Sequence, residues 1–216
     1  MQIILSKVIP TPLRDKMQQR ESEIWNKELV FEPGQWVKIK APSGTGKTTL
    51  VHILYKLRHD YSGKVQWNGK DLTSCPAAEL AVMRQSSISV IFQDMRLFSN
   101  LTARENIELN RILPVHPRYA VEKIDEMAAR LQVSHILDQR AGLCSYGEQQ
   151  RIAIIRALIQ PFQWLIMDEP FSHLDEENTR KAAALIAEEC TLRKAGFLLT
   201  DLDEDDYFAY TRYLGL

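Results

Sequence analysis

The chain is 216 residues long, 45% hydrophobic and 25% charged, the proportions of an ordinary globular protein able to bury a full core in one domain. Its 27 basic and 28 acidic side chains leave a net charge of −1, so no bulk field argues for nucleic acid or a membrane surface as partner. No apolar run approaches bilayer-spanning length. Residues 1–7 lack the features of a secretory leader, and neither Cys75, Cys144 and Cys190 nor the five histidines are spaced as metal ligands.

Short β-type runs at 2–8, 23–31 and 36–40, separated by polar turns, read as an antiparallel β subdomain. It leads into the glycine-rich run Ala41-Pro42-Ser43-Gly44-Thr45-Gly46-Lys47-Thr48, after which a helical stretch begins at Thr49. Residues 64–67 form a strand closing on the turn signal Asn68-Gly69. Residues 87–92 are rich in β-branched side chains and read as a buried parallel strand. From Thr102 to about 139 the period becomes helical, broken at Pro114 and Pro117, and a second helical run covers 152–158. Core strands at 165–167 and 197–200 enclose a helix over about 176–194. The expected fold is α/β. A mostly parallel sheet is flanked by helices, with an N-terminal antiparallel β subdomain and a helical insertion at about 94–145, all within one domain over 1–216.

The strand–loop–helix setting around residues 41–48 is that of a phosphate-binding loop, which places the chain among the P-loop NTPases. Gly44 and Gly46 let the backbone form a nest of N–H groups, and the following helix adds the positive end of its dipole. Lys47 is expected to reach the β- and γ-phosphates and Thr48 to hold Mg²⁺. Pro42, Ser43, Thr45 and Thr49 complete the nucleotide-binding stretch. Ala41 stands where the usual first glycine would be.

The apolar run from Trp164 ends in Asp168 and Glu169, at the strand edge where ligands gather in such sheets. Asp168 is expected to hold Mg²⁺ and Glu169 to orient and deprotonate the attacking water. Gln93, after the strand at 87–92, is placed to touch both metal and water. Ser145 stands where a helix N-cap would, at a terminus able to bind an anion.

The phosphate loop, Gln93, the run Cys144-Ser145-Tyr146-Gly147-Glu148-Gln149-Gln150-Arg151, and Asp168-Glu169-Pro170 with Leu174-Asp175 follow one another in a fixed order. That set resembles the nucleotide-binding subunit of ATP-binding cassette (ABC) proteins over essentially the whole chain. It looks most like the stand-alone subunits of lipoprotein-release, macrolide-export and cell-division systems. The resemblance implies that Gln93 belongs to the Q-loop, Ser145 to Gln149 to the signature motif, Asp168 and Glu169 to Walker B, and Ser172 to Asp175 to the D-loop. It implies ATP and Mg²⁺ as ligands, ATP hydrolysis as the activity, and a homodimer closed head to tail. In such a dimer ATP lies between one chain's phosphate loop and the other's Ser145, Gly147, Glu148 and Gln149. It also implies integral membrane permease subunits as partners and a cytoplasmic, peripheral position at the inner face of the cell membrane.

Several positions depart from the family pattern. Cys144 and Tyr146 replace a leucine and the first glycine of the signature, and Asp201 stands where a switch histidine is expected. An ionised aspartate would repel γ-phosphate, and hydrolysis is then slow. No aromatic ring occurs near residues 8–13 to stack on adenine, which leaves Trp25 or another residue as a substitute, a choice the sequence does not make. These departures support an alternative, a nucleotide-gated regulatory module with little ATPase activity. The remaining tryptophans, Trp36, Trp67 and Trp164, read as core, Cys144 as an unreactive spacer, and the acidic run 201–206 as a solvated loop.

Overall fold

The computed structural model describes residues 1–17, 21–114 and 116–216. In chain order its elements are β1 (Ile3–Pro10), α1 (Arg14–Met17), β2 (Glu28–Phe31), β3 (Trp36–Lys40), α2 (Lys47–Leu54), β4 (Tyr61–Trp67), β5 (Lys70–Asp71), α3 (Ala77–Ser86) and β6 (Ile88–Ile91). Then follow α4 (Ala103–Ile112), α5 (Glu122–Arg130), α6 (Tyr146–Ile159), β7 (Trp164–Asp168), α7 (Glu176–Arg193), β8 (Gly196–Asp201) and β9 (Arg212–Gly215).

The strands form two sheets. An antiparallel one runs β2-β1-β4-β5, and a parallel one runs β6-β7-β8-β3-β9. The antiparallel sheet is the one expected at the N-terminus, with one correction. β3 leaves it and lies between β8 and β9 of the parallel sheet, Val37 opposite Leu198 and Ile39 opposite Thr200. The expected strand at 23–31 also shortens to β2. Ser22 Oγ accepts from the N–H groups of Ile24 (3.1 Å) and Trp25 (3.0 Å), folding that stretch into a turn, and Asn26 follows at φ 58°.

β6, β7 and β8 are nearly continuous in apolar side chains because helices cover both faces. One face packs Ile39, Leu50, Val51, Ile166 and Leu198 with the antiparallel sheet's Ile3, Leu5 and Trp67. The other packs Leu165, Met167, Phe197 and Leu199 against α4, α5, α6 and α7. Trp67 and Trp164 are buried as expected, whereas Trp36 is half-buried and rests on Phe197, ring centroids 5.0 Å apart.

The helices begin where their caps say they should. Thr102 and Glu105 form a reciprocal capping box on α4, Ser145 and Glu148 another on α6, and Asp175 Oδ1 accepts from Asn178 N (2.8 Å) at α7. Two elements carry no clear sequence signal. α3 has no fully buried residue and so no strong apolar period. β9 is four residues at the sheet edge, held to β3 by its backbone.

Candidate functional site

The phosphate loop spans the gap between β3 and α2. Gly44 and Gly46 adopt φ 77° and 111°, in the left-handed region that a Cβ disfavours. A Cβ on Gly46 would lie 2.6 Å from Leu13 Cδ1 and 3.3 Å from the Trp25 ring, while one on Gly44 meets nothing within 4 Å. Gly46→Ala is therefore expected to cost about 1–3 kcal/mol, strain and overpacking together, and Gly44→Ala only the conformational part. Thermal unfolding of the two variants side by side measures the difference.

Gly46 is the N-cap of α2, and no side chain caps that terminus. Its leading N–H groups are left for an anion, which the helix dipole favours. Lys47 is buried at the foot of the loop. Its Nζ donates to Ala41 O (2.8 Å) and Pro42 O (3.4 Å) and lies 3.2 Å from Glu169 Oε1. Pro42, Ser43, Gly44 and Thr48 are exposed along the rim, and Thr45 Oγ1 donates to Pro42 O (2.8 Å). The Thr49 hydroxyl accepts from Arg58 Nη1 (3.3 Å).

Glu169 follows β7 with φ 46°, a left-handed residue that is not glycine, and its N–H donates to Thr200 O (3.0 Å). That unusual backbone turns the carboxylate back across the end of the sheet. There Gln93 Nε2 donates to its Oε2 (3.0 Å) while Lys47 faces Oε1. Two residues drawn from separate stretches of the sequence thus converge on the carboxylate of a third. Beside it, Asp168 is buried. Its Oδ1 accepts from Thr200 Oγ1 (2.8 Å), and its Oδ2 has no hydrogen-bond partner among the described residues. A buried anionic oxygen left unpaired is costly. Its hard lone pair suits a divalent cation such as Mg²⁺.

Ser145, Gly147, Glu148 and Gln149 form the first turn of α6. Ser145 N and Oγ both donate to Glu148 Oε2 (2.8 Å each), which holds that carboxyl below its usual range through the backbone bond first. Gln149 Nε2 donates to Cys144 O (2.8 Å). Among the described residues no hydrogen bond joins this turn to the phosphate loop of the same chain. A Cβ on Gly147 would sit 3.0 Å from His173 O, and Tyr146 stacks on His173, centroids 5.4 Å apart. Burial raises the Cys144 thiol above its usual range, in keeping with an unreactive spacer.

Asp201, partly exposed, is paired within its own chain. Its Oδ2 lies 3.5 Å from Lys38 Nζ, and Lys38, fully buried in β3, also pairs with Asp205. Tyr210 OH donates to Asp205 Oδ1 (2.7 Å). The acidic run is thus partly internal, a correction to its reading as a solvated loop. Lys38 was missed because the alternation in Trp36–Lys40 puts it on the face a sheet usually turns to water. Trp25 lies under the loop and in the lining of the adjoining cavity. It is only 3% exposed, with Nε1 3.4 Å from Thr45 O, and braces the loop from below. A cavity of about 900 Å³ adjoins the loop at Lys40 and Pro42, with Ile9 and Arg14 in its lining.

An uncapped helix start, a buried lysine and adjacent carboxylates on one edge of a parallel sheet define a P-loop nucleotide-binding protein. Residues 25–172 match the family model described as ABC transporter. The chain is 36% identical over 177 residues to the uncharacterized ABC transporter ATP-binding protein YvcR of Bacillus subtilis, covering 82% of this chain and 68% of that one. It is 35% identical to the lipoprotein-releasing system ATP-binding protein LolD of Syntrophus aciditrophicus, over 74% of this chain and 73% of the relative. The fold superposes on the dimeric bacterial ABC transporter cassette MJ0796 with a TM-score of 0.79 and 26% identity, covering 93% and 88% of the two chains. The same cassette in a post-hydrolysis state bound to ADP and Pi matches equally, at 25% identity. The chain belongs to the ABC transporter ATP-binding family, as its motifs lead one to expect.

Proposed function

We propose that the chain binds Mg-ATP and hydrolyses it as the ATP-binding subunit of a transport complex. The observation that carries this is the convergence of Lys47 and Gln93 on Glu169, beside an unpaired Asp168 oxygen. Pro42, Ser43, Gly44, Thr45, Gly46 and Thr49 frame the phosphates, and Lys47 exchanges Glu169 for the β- and γ-oxygens. Thr48, Asp168 and Gln93 hold Mg²⁺, which supplies charge neutralisation on the phosphates. Glu169 takes a proton from water as its oxygen bonds to the γ-phosphorus. The bond to the β–γ bridging oxygen breaks and ADP leaves. The cavity beside Pro42 takes the nucleoside.

Ser145, Gly147, Glu148 and Gln149 are assigned to the nucleotide of a second copy, in a head-to-tail homodimer. A turn that sits apart from its own phosphate loop needs a partner chain to meet phosphate, and the structural relative is dimeric. Among the described residues no helix is long and apolar enough to cross a membrane. Movement is passed to integral membrane permease subunits on the helical insertion around 94–145, with the chain cytoplasmic and peripheral. Relatives support this by name. One of them, a macrolide export ATP-binding/permease protein of Marinobacter nauticus, is matched over 25% of its length. Asp201 is partly neutralised by Lys38, which weakens the electrostatic ground for the regulatory alternative.

Lys47→Ala removes the buried cation at the foot of the loop and is expected to weaken ATP binding about 10- to 100-fold, the worth of one charge-assisted contact. Titration with a fluorescent ATP analogue measures it. Unchanged affinity would remove the phosphate-loop assignment.

A further inference from the structure

The segment that joins β6 to α4 turns sharply just after Gln93. Met95 and Arg96, neither of them glycine, take φ 56° and 51° in succession. Each is unfavourable for a residue bearing a Cβ, and such a pair persists only where its surroundings hold it. One side chain supplies most of that hold. Arg156, on the face of α6 turned toward this segment, donates from Nη2 to Met95 O (2.5 Å) and from Nη1 to Arg96 O (2.7 Å). Its guanidinium is partly buried, and that burial pulls its pKa down to about 10, which still leaves it charged at neutral pH. Tyr55 and Asp94 are the groups whose fields favour that charge.

The turn is closed from the other side as well. Met95 N donates to Phe92 O (3.0 Å), so Gln93 and Asp94 form the tip of a tight loop. The Arg96 guanidinium lies 4.0 Å over the Phe92 ring, with Nη2 2.9 Å from His52 Nε2 on α2. Gln93 reaches Glu169 from this tip. The position of its amide is therefore set by a turn whose far end is fastened to α6, the helix that Ser145 caps.

We propose that Arg156 is a positioning residue for ATP hydrolysis: by clamping the carbonyls of Met95 and Arg96 it keeps the Gln93 amide on Glu169 and ties that contact to the movement of α6. The proposal rests on the roles assigned above to Gln93 and Glu169. Arg156 touches no reacting atom, so its effect passes through Gln93.

The test compares the parent chain with Arg156→Lys, Gln93→Ala and the double variant. Steady-state phosphate release, ATP affinity and thermal unfolding are measured for each. Lysine keeps the charge but replaces the rigid two-pronged fork, one nitrogen aimed at each carbonyl, with a single flexible ammonium on a shorter reach. The expected result is a fall in kcat of about 10-fold for Arg156→Lys, with KM and ATP affinity unchanged within about 2-fold. In the Gln93→Ala background the same substitution should lower kcat no further, because the contact it protects is already gone. Losses that multiply in the double variant overturn the proposal. So does an Arg156→Lys variant with the parent kcat, one altered only in KM, or one that no longer unfolds cooperatively. A parent chain that releases no phosphate overturns the functional reading instead, and is recognised before any substitution is compared.

Discussion

Glu169→Gln is expected to lower ATP turnover by about 10²–10⁴-fold, the contribution of a positioned general base, while leaving Mg-ATP bound. The amide is nearly isosteric with the carboxylate, so the left-handed backbone at Glu169 and its bond to Thr200 O have no reason to change. What disappears is the carboxylate proposed to take the proton from water. The 3.2 Å ion pair with Lys47 disappears too. Because Lys47 no longer has to leave a carboxylate to meet phosphate, affinity for ATP should hold or rise. Phosphate release measures the first effect, and gel filtration with and without Mg-ATP measures whether the trapped nucleotide holds two chains together. A variant that turns over at the parent rate would show that the base lies elsewhere.

Lys38→Met should be the most damaging single change to the fold outside the hydrophobic core, costing about 3–5 kcal/mol. Lys38 is fully buried in a central strand, paired with Asp205 and 3.5 Å from Asp201. Removing it leaves the Asp205 carboxylate, itself mostly buried, with the Tyr210 hydroxyl as its remaining side-chain donor. Burial already raises the Tyr210 phenol above its ordinary value, with the bond to Asp205 adding to it, so that hydroxyl stays a donor but brings no positive charge. The neighbouring Lys40–Glu204 pair provides the contrast. Both side chains are largely exposed, and Lys40→Met should leave the urea midpoint where it was. Adding Asp205→Asn to Lys38→Met should recover part of the loss, since a neutral amide no longer needs a counter-charge. A Lys38→Met chain as stable as the parent would mean that the cluster carries no net stabilisation.

The chemistry-bearing loop, the strand-end carboxylates and the helix caps were legible because each depends on neighbours within a few residues. Glycines at 44 and 46 select the nest, and Ser145 with Glu148 selects a helix start whatever the rest of the chain does. Asp168 and Glu169 could be placed because an apolar run followed by two carboxylates has few other ways to sit in a buried sheet. The elements that went unread depend on partners far along the chain. α3 buries none of its residues fully, and β9 is four residues long and exists because β3 offers it an open edge.

Local pattern and motif order were enough to specify the class of fold, the phosphate loop and the family, and to single out Lys47, Gln93, Asp168 and Glu169 as candidates. How those residues meet, and what surrounds them, came from the packing of the sheets and helices. It drew β3 out of the antiparallel sheet, which buries Lys38 and turns Asp201 toward it. It packed Trp25 against the underside of the loop, with its Nε1 facing Thr45 O. It brought α6 across to Met95 and Arg96, so that Arg156 fastens the turn behind Gln93. The physical reason is the same in each case. Local motifs are written in backbone preference and short-range hydrogen bonds, whereas the burial and pairing of a charge depend on which strands and helices come to lie beside it.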